Sequence, residues 1–205
     1  MHLRIVIAAL VSYFLGNHNG AICVSLMMGD DVRTHGSGNA GLTNFIRSYG
    51  SGRALLVVAI DAGKAVLACL VSGLLLEPMG FGLQGKMLGG LFVLLGHVYP
   101  ALQGFRGGKG ILSGWFIAWA VDWRIALAIG VVFFAVYFAT RYVSLGSVLG
   151  VATFGAGFGI LYHDDIWVWL PGVLMAALCI FAHRTNIVRL CKGQERKTDL
   201  FPKGR

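Results

Sequence analysis

The sequence has few charged residues and few cysteines, and each shortage excludes a class of protein. Charged residues make up 13% of the 205-residue chain and hydrophobic residues 57%. Because a typical soluble domain carries about 25% charged residues, an ordinary soluble protein is excluded. The four cysteines, Cys23, Cys69, Cys179 and Cys191, form no CxxC pair and no other metal-ligand spacing. We therefore expect free thiols, without a disulfide framework or a metal site.

The hydrophobic residues are gathered in runs, which predicts an all-α integral membrane protein. No Ala-x-Ala cleavage site accompanies the first run, so we interpret it as a membrane span and not as a signal peptide. Each crossing needs about 20 predominantly apolar residues, so the two shortest runs are expected to be tilted or partly re-entrant. Five to seven crossings fit the sequence, and about seven are preferred. The predicted spans, all in one domain of residues 1–205, are 3–27, 54–76, 86–99, 110–121, 124–140, 144–161 and 166–182.

The distribution of basic residues predicts the orientation of the chain. Cytoplasmic loops of membrane proteins accumulate lysine and arginine. With seven crossings and the carboxyl terminus inside, thirteen cations lie on the cytoplasmic side, whereas Arg4, Lys86 and Arg124 lie outside with the amino terminus. Residues 184–205 then form a basic cytoplasmic tail. The net charge of +8 is explained by topology and by attraction to anionic lipid, and does not indicate nucleic-acid binding.

Two polar, glycine-rich loops interrupt the apolar runs, and both are predicted to bind phosphate. The first covers residues 37–44 and is followed by Arg47, and the second covers residues 104–110 and includes Lys109. Clustered backbone N–H groups favour phosphate-like anions. Both loops lie on the predicted cytoplasmic face, which favours a one-sided active site. Neither is a nucleotide motif, because no βαβ unit surrounds the GxGxxG match at residues 36–41 and the second loop departs from the Walker A pattern.

Other polar residues and glycines in the apolar runs have structural interpretations. Asp61 and Lys64 lie three residues apart on one helix face, where they can pair. We expect His97 and the polar break at residues 17–19 to form hydrogen bonds in the core. Four glycines in the sixth run predict close helix packing: Gly146, Gly150, Gly155 and Gly159.

A third polar cluster follows the last span. On a continuing helix His183 and Asn186 share one face, one turn apart, at the membrane boundary. A basic helix that binds anionic lipid would explain the neighbouring arginines, but it leaves the histidine and the asparagine unexplained. A lipid-binding helix and a catalytic pair therefore remain open at this point.

Four motifs occur in a characteristic order. They are Ser-Gly-Asn-x-Gly-x-Thr-Asn from residue 37, Gly-Gly-Lys-Gly from residue 107, Arg-Tyr-Val-Ser-Leu from residue 141 and His-Arg-x-Asn-Ile-x-Arg-Leu from residue 183. In this order they resemble the bacterial acyl-phosphate:glycerol-3-phosphate acyltransferase (PlsY) family, over residues 13–197. The spacing of Asp61 and Lys64 also resembles the second-helix pattern of that family. The chain departs from the family at Ala40, where proline is usual, and at Leu42, where a small residue is usual.

The resemblance implies a seven-helix enzyme of the bacterial cell membrane, with cytoplasmic glycine-rich active-site loops and no cofactor. The implied reaction transfers a fatty acyl group from acyl phosphate to the 1-hydroxyl of sn-glycerol-3-phosphate. Its products are lysophosphatidic acid and inorganic phosphate, and it is the first acylation step of phospholipid biosynthesis. The expected partners are these two substrates and membrane lipid, with no nucleic acid and no obligate protein partner.

Site residues follow from the motifs and from the chemistry of two phosphate-bearing substrates. Arginine offers phosphate a bidentate fork and lysine a point charge, and loop donors can stabilise the charge that a leaving phosphate gains. The predicted catalytic residues are His183, Asn186 and Ser144, with Ser147 as the alternative to Ser144. Arg47 and Lys109 are predicted to bind glycerol-3-phosphate. The predicted acyl-phosphate site comprises Ser37, Gly38, Asn39, Gly41, Thr43, Asn44, Gly107 and Gly108.

Two questions of mechanism and class stay open in the sequence. The chain has no His-x4-Asp, so the dyad of acyltransferases that use acyl-CoA or acyl-carrier protein is absent. The base is either His183, with a pKa near neutrality, or a phosphate oxygen of the substrate. A transporter or channel for an organic phosphate would use similar basic loops, with Asp61 and Lys64 as relay charges. The one-sided polar loops and the lack of a detectable inverted repeat favour the enzyme.

Overall fold

The computed structural model describes residues 1–199, and this part of the chain is helical, without strands. Ten α-helices follow one another in this range: α1 (His2–Gly16), α2 (Gly20–Met27), α3 (Leu42–Tyr49), α4 (Ala54–Leu76), α5 (Gly82–Val98), α6 (Ile111–Val121), α7 (Trp123–Thr140), α8 (Val143–Leu161), α9 (Ile166–Ala182) and α10 (Arg184–Cys191). The predicted all-α fold and the four free cysteines are confirmed. Lys203 and Arg205 of the predicted basic tail lie outside the described residues.

The first apolar run is divided by a polar break into α1 and α2, whose axes differ by 46°. The Asn19 side chain begins α2 by accepting a hydrogen bond from the Ile22 N–H (3.1 Å), and it donates to Ala40 O (3.0 Å). Asn17 Oδ1 accepts from the Leu102 N–H (2.9 Å). The predicted core hydrogen bonds are confirmed for Asn17 and Asn19, whereas His18 is exposed. The first run is nevertheless not one continuous helix. At the break Asn17 Nδ2 donates to Tyr13 O of α1 (2.8 Å), and Asn19 caps the start of α2.

The helix lengths give a smaller set of candidate membrane spans than the preferred prediction of seven. Four helices, α4, α5, α7 and α8, are long and apolar enough to cross a membrane. The count in the described part of the chain rises to six if the bent pairs α1–α2 and α9–α10 each form one broken span. Helix α6 has 11 residues and is therefore roughly 17 Å long, short of the ~30 Å hydrocarbon core. Seven crossings are thus not confirmed.

Glycines allow the backbones of α1 and α5 to touch. A Cβ atom added at Gly16 would lie 2.2 Å from Val93 O, and one added at Gly96 would lie 2.1 Å from Tyr13 O. Real Cβ contacts are never this short, so only glycine permits the crossing. The close approach holds α5, and the loop that follows it, against the polar break between α1 and α2.

The predicted packing glycines of α8 behave in two ways. Cβ atoms added at Gly146, Gly150 and Gly155 would lie 2.8–3.4 Å from atoms of α7 or α9. Close packing at these three positions is confirmed. At Gly159 no atom of the described residues outside its own helix turn lies within 4 Å of such a Cβ, so the prediction is wrong there.

Asp61, Lys64 and His97 form a buried polar cluster between α4 and α5. Lys64 Nζ lies 2.8 Å from Asp61 Oδ1 and 2.8 Å from His97 Nδ1. The ammonium also donates to two carbonyls at the end of α1 (3.3 and 3.0 Å), and Asp61 Oδ1 accepts from the Gly20 N–H at the start of α2 (3.0 Å). The predicted pairing of Asp61 with Lys64 and the core hydrogen bonding of His97 are confirmed. The ion pair therefore satisfies backbone groups on both sides of the helix break.

Candidate active site

A cavity of about 880 Å³ opens between the loop before α3, the starts of α6 and α8, and the end of α9. Its polar part is lined by Ser37, Gly38, Asn39, Gly41, Thr43, Asn44, Arg47, Lys109, Ser144, Ser147, His183 and Asn186. Its apolar part is lined by side chains that include Leu94, Trp115, Phe133, Phe134, Val151, Phe154 and Met175. The fold thus brings together predicted site residues from four separate parts of the sequence, with Gly107 and Gly108 as the two exceptions.

Asn44 shapes the first polar loop from inside it. Its buried side chain accepts a hydrogen bond from the Ser37 N–H (2.9 Å) and donates to Val32 O (3.1 Å) and His35 O (3.0 Å). A Cβ atom added at Gly36 would lie 2.3 Å from Asn44 Oδ1, so glycine lets the loop close over the amide. Both amide protons are used within the loop. This geometry favours a positioning role over the predicted direct contact with acyl phosphate.

The first turn of α3 forms one wall of the cavity. The helix begins after Gly41 without a side-chain cap, and the first N–H groups of a helix have no partner within it. The helix dipole adds positive potential at the same place. The hydroxyl-bearing residues Ser37 and Thr43, and the amide of Asn39, line the same wall. This wall can therefore bind an anion such as phosphate.

Gly107 and Gly108 lie behind the cavity wall. The Gly107 N–H donates to Val98 O (3.2 Å) and the Gly108 N–H to His97 O (3.1 Å). A Cβ atom added at Gly107 would lie 2.0 Å from His97 O, and one added at Gly108 would lie 2.4 Å from Ala40 O. Their donors are thus directed to the end of α5, which does not support the prediction that they donate to acyl phosphate. Glycine is needed here because the loop passes against two other backbone segments.

Lys109 projects from this loop toward α10. Its Nζ donates to Asn186 Oδ1, and Asn186 Nδ2 donates to Glu195 Oε1 (2.7 Å). Arg189 Nε donates to Glu195 Oε2 (2.8 Å). Burial, together with the charge of Arg189, lowers the pKa of Lys109 to about 8. Lys109 is therefore a cation at neutral pH, but it lies close to its titration point.

His183 lies buried at the junction of α9 and α10. Its Nδ1 donates to Cys179 O (2.8 Å), which leaves Nε2 of the neutral ring as a hydrogen-bond acceptor. Burial, aided by the charge of Lys109, lowers the pKa of His183 to about 4. The prediction of a pKa near neutrality is wrong for this environment. His183 is neutral at pH 7, where it can accept a hydrogen bond but is a weak base.

Arg47 and Ser144 border the mouth of the cavity. Arg47 is exposed, and its Nη2 donates to Thr198 Oγ1 (2.7 Å). The buried Ser144 hydroxyl lies near the Glu195 carboxylate but forms no hydrogen bond of good geometry within the described residues. A buried hydroxyl without a partner is available to a ligand. Ser147, the alternative, lies one turn further along α8 on the same wall.

The predicted set omits several polar residues that line the cavity, among them Arg189, Glu195 and Thr198. Arg189 belongs to the fourth motif, so the sequence contained a signal for it. Glu195 and Thr198 belong to the tail after α10. The tail folds back to the cavity, where the Thr198 N–H donates to Arg141 O (3.1 Å), and the sequence contained no signal for this contact. Among residues 1–199 no group of three or more histidine, cysteine, aspartate or glutamate side chains is arranged to hold a metal ion.

Comparisons with known proteins agree with one another. The family model described as glycerol-3-phosphate acyltransferase matches residues 6–193. A relative of that name from Finegoldia magna is 37% identical over 201 residues, covering 96% of this chain and 97% of the relative. Another from Neisseria meningitidis serogroup B is 34% identical over 191 residues, covering 93% and 95%. The chain also resembles crystal structures of PlsY, an integral membrane glycerol 3-phosphate acyltransferase, at 30% identity. Its glycerol 3-phosphate form matches with a TM-score of 0.85 over 95% of this chain and 96% of that chain, and its lysophosphatidic acid form with 0.81 over 94% of each.

Proposed function

Because the chain belongs to the glycerol-3-phosphate acyltransferase family, we propose that it transfers a fatty acyl group from acyl phosphate to the 1-hydroxyl of sn-glycerol-3-phosphate. The products are lysophosphatidic acid and inorganic phosphate, at the first acylation step of phospholipid biosynthesis. One observation carries the proposal: the uncapped first turn of α3, Arg47 and Lys109 line the same cavity as a set of apolar side chains. Two phosphate-bearing substrates, one with a fatty chain, fit this arrangement.

Each phosphate group is assigned its own donors. The uncapped first turn of α3, with Ser37, Asn39 and Thr43, holds acyl phosphate, where fixed donors stabilise the charge that the leaving phosphate gains. Lys109 and Arg47, the latter from the last turn of α3, bind the phosphate of glycerol-3-phosphate. Asn44, Gly107 and Gly108 act indirectly, because they shape the two loops that carry these donors.

The chemical step needs orientation and a proton acceptor. The 1-hydroxyl oxygen attacks the acyl carbon, the bond from that carbon to the phosphate oxygen breaks, and phosphate leaves with the bonding electrons. A phosphate oxygen of the substrate takes the hydroxyl proton in preference to His183. The second pKa of a phosphate group is about 6, whereas the pKa of His183 is lowered to about 4. Nε2 of His183 accepts a hydrogen bond from the hydroxyl and orients it, and Asn186 and Ser144 complete the site. Positioning of this kind can lower the barrier by ~7–11 kcal/mol.

The apolar part of the cavity takes the fatty acyl chain. On α8 the lining runs from Ser144 at the polar mouth to Phe154. At a rise of 1.5 Å per residue this distance is roughly 15 Å along the helix. Such a wall removes the acyl chain from water, and it also limits access of water to the reacting carbon, which would otherwise hydrolyse acyl phosphate.

The active site and the carboxyl terminus face the cytoplasm of a bacterial cell in this proposal, and the amino terminus lies outside. The cavity mouth carries five basic residues: Arg47, Lys109, Arg184, Arg189 and Arg196. Such a concentration is typical of the cytoplasmic side, and it attracts anionic substrates. The reaction as written needs no cofactor.

Purified protein in detergent micelles tests the proposal. We expect equimolar lysophosphatidic acid and inorganic phosphate from glycerol-3-phosphate and acyl phosphate. Parallel reactions with acyl-CoA or acyl-carrier protein as sole donor test the donor assignment, which comparable turnover would refute. Failure to form lysophosphatidic acid with any donor would refute the function itself. Because micelles enclose no compartment, turnover also separates catalysis from transport.

A further inference from the structure

The two glycine-rich loops are both attached to the polar break between α1 and α2. Asn19 Nδ2 donates to Ala40 O (3.0 Å) in the middle of the first loop. Asn17 Oδ1 accepts from the Leu102 N–H (2.9 Å), two residues before the second loop begins. Each loop therefore has one hydrogen bond to the same short break.

The break is a fixed support for these contacts. The side chains of Asn17 and Asn19 are buried, with exposed fractions of 1% and 0%. The Lys64 ammonium of α4 donates to the carbonyls of Gly16 and His18 in the break (3.3 and 3.0 Å). Hydrogen bonds thus run without interruption from α4 to the break, and from the break to both loops.

The two loops also meet beside Asn19. A Cβ atom added at Gly108 would lie 2.4 Å from Ala40 O and 3.2 Å from Asn19 Nδ2. Gly108 directly precedes Lys109 in the second loop, and Ala40 directly follows Asn39 in the first. A shift of either loop at this contact would therefore move a donor that is assigned to one of the two phosphate groups.

We propose that Asn17 and Asn19 are positioning residues for the two substrate phosphates. Asn19 holds the loop that binds acyl phosphate, and Asn17 holds the loop that carries Lys109 to glycerol-3-phosphate. Neither asparagine belongs to the described residues that line the cavity, so both act through the loops without contacting substrate. The inference rests on the proposed function, because it takes the two loops to bind different substrates.

Serine at either position removes the contact with the loop and keeps the contact with the helix. Asn19 also caps α2 by accepting from the Ile22 N–H (3.1 Å), and Asn17 also donates to Tyr13 O, four residues earlier (2.8 Å). A serine hydroxyl can form both kinds of local bond. It is one atom shorter than the asparagine amide, however, and does not reach the loop.

The experiment measures KM for both substrates, and the melting temperature, in each serine variant. Asn19→Ser should raise KM for acyl phosphate by about fivefold, the factor that one neutral hydrogen bond contributes, and leave KM for glycerol-3-phosphate unchanged. Asn17→Ser should do the reverse. Ser12→Ala is the matched control, because it removes another buried hydrogen bond of α1, to Ser72 of α4 (3.0 Å), that involves neither loop. Both KM values of the control should equal those of the wild type.

The crossed pattern separates positioning from a general loss of stability. A change that only destabilises the fold would lower the melting temperature, as the control can, without raising one KM selectively. Equal changes in both KM values, the reverse pattern, or unchanged KM values in the two serine variants would overturn the proposal.

Threonine continues the test if a serine variant does not fold. Its hydroxyl also caps a helix, and its methyl group fills more of the space that the asparagine leaves, so the same crossed pattern is expected. Loss of folding in all four variants would show that the asparagines serve the fold alone, and would overturn the positioning role. If the wild type makes no lysophosphatidic acid with any donor, the proposed function fails instead.

Discussion

Because of the surroundings of Lys109, binding of glycerol-3-phosphate should weaken at alkaline pH. Burial and the nearby Arg189 lower the pKa of its ammonium to about 8. A lysine with this pKa is charged below pH 8 and neutral above it, so the phosphate clamp loses a charge as the pH rises through 8. We expect KM for glycerol-3-phosphate to rise between pH 7 and pH 10.

The size of this effect follows from one hydrogen bond. A bond to a charged group contributes roughly 1.5–3 kcal/mol, which is roughly 10- to 150-fold in KM. With a pKa of about 8, about nine-tenths of Lys109 is charged at pH 7 and about one-hundredth at pH 10, so most of this factor should appear. Two other titrations fall outside this window: the substrate phosphate has a second pKa of about 6, and the pKa of His183 is lowered to about 4.

The assay records initial rates of lysophosphatidic acid formation from labelled glycerol-3-phosphate across this pH range. A blank without enzyme at each pH corrects for spontaneous hydrolysis of acyl phosphate. Lys109→Arg is the matched variant, because arginine stays charged throughout and its KM should not depend on pH in this range. A constant KM in the wild type, or the same alkaline rise in Lys109→Arg, would refute the reasoning.

Other predictions concern the histidine, the buried ion pair and the absence of metal chemistry. His183→Ala should lower kcat by about 10²-fold through lost orientation of the hydroxyl, and Asn186→Ala should also lower kcat substantially. Arg205→Ala, outside the described residues, should leave kcat unchanged. A near-normal kcat in His183→Ala would show that other groups orient the hydroxyl. Asp61→Asn leaves the buried ammonium of Lys64 without a carboxylate partner, so the free energy of unfolding should fall by ~3–5 kcal/mol, and an unchanged melting temperature would contradict this. Activity should survive chelators and thiol-blocking reagents, and abolition by EDTA would show a required metal ion.

The helices could be read from the sequence, but the number of crossings could not. A run of apolar residues predicts a helix wherever it stands, because backbone groups in an apolar medium must pair within the segment. Whether the run crosses the membrane depends on the neighbouring elements. Helix α6 is short. The first apolar run is broken into α1 and α2, because Asn17, Asn19 and Lys64 offer partners to the backbone groups at the break. Those partners come from other parts of the chain or act only in the bent geometry.

Most of the polar residues predicted from the motifs line one cavity in the structure. The direction of each donor and the protonation of each group were decided only by the tertiary structure. Asn44 and Gly108 carry donors that could have faced a ligand, but the fold directs them into backbone contacts. The pKa of His183 depends on burial and on Lys109, and Glu195 enters the site because the tail folds back over it. Orientation and desolvation are properties of what surrounds a residue, so a motif can identify the residue but not its state.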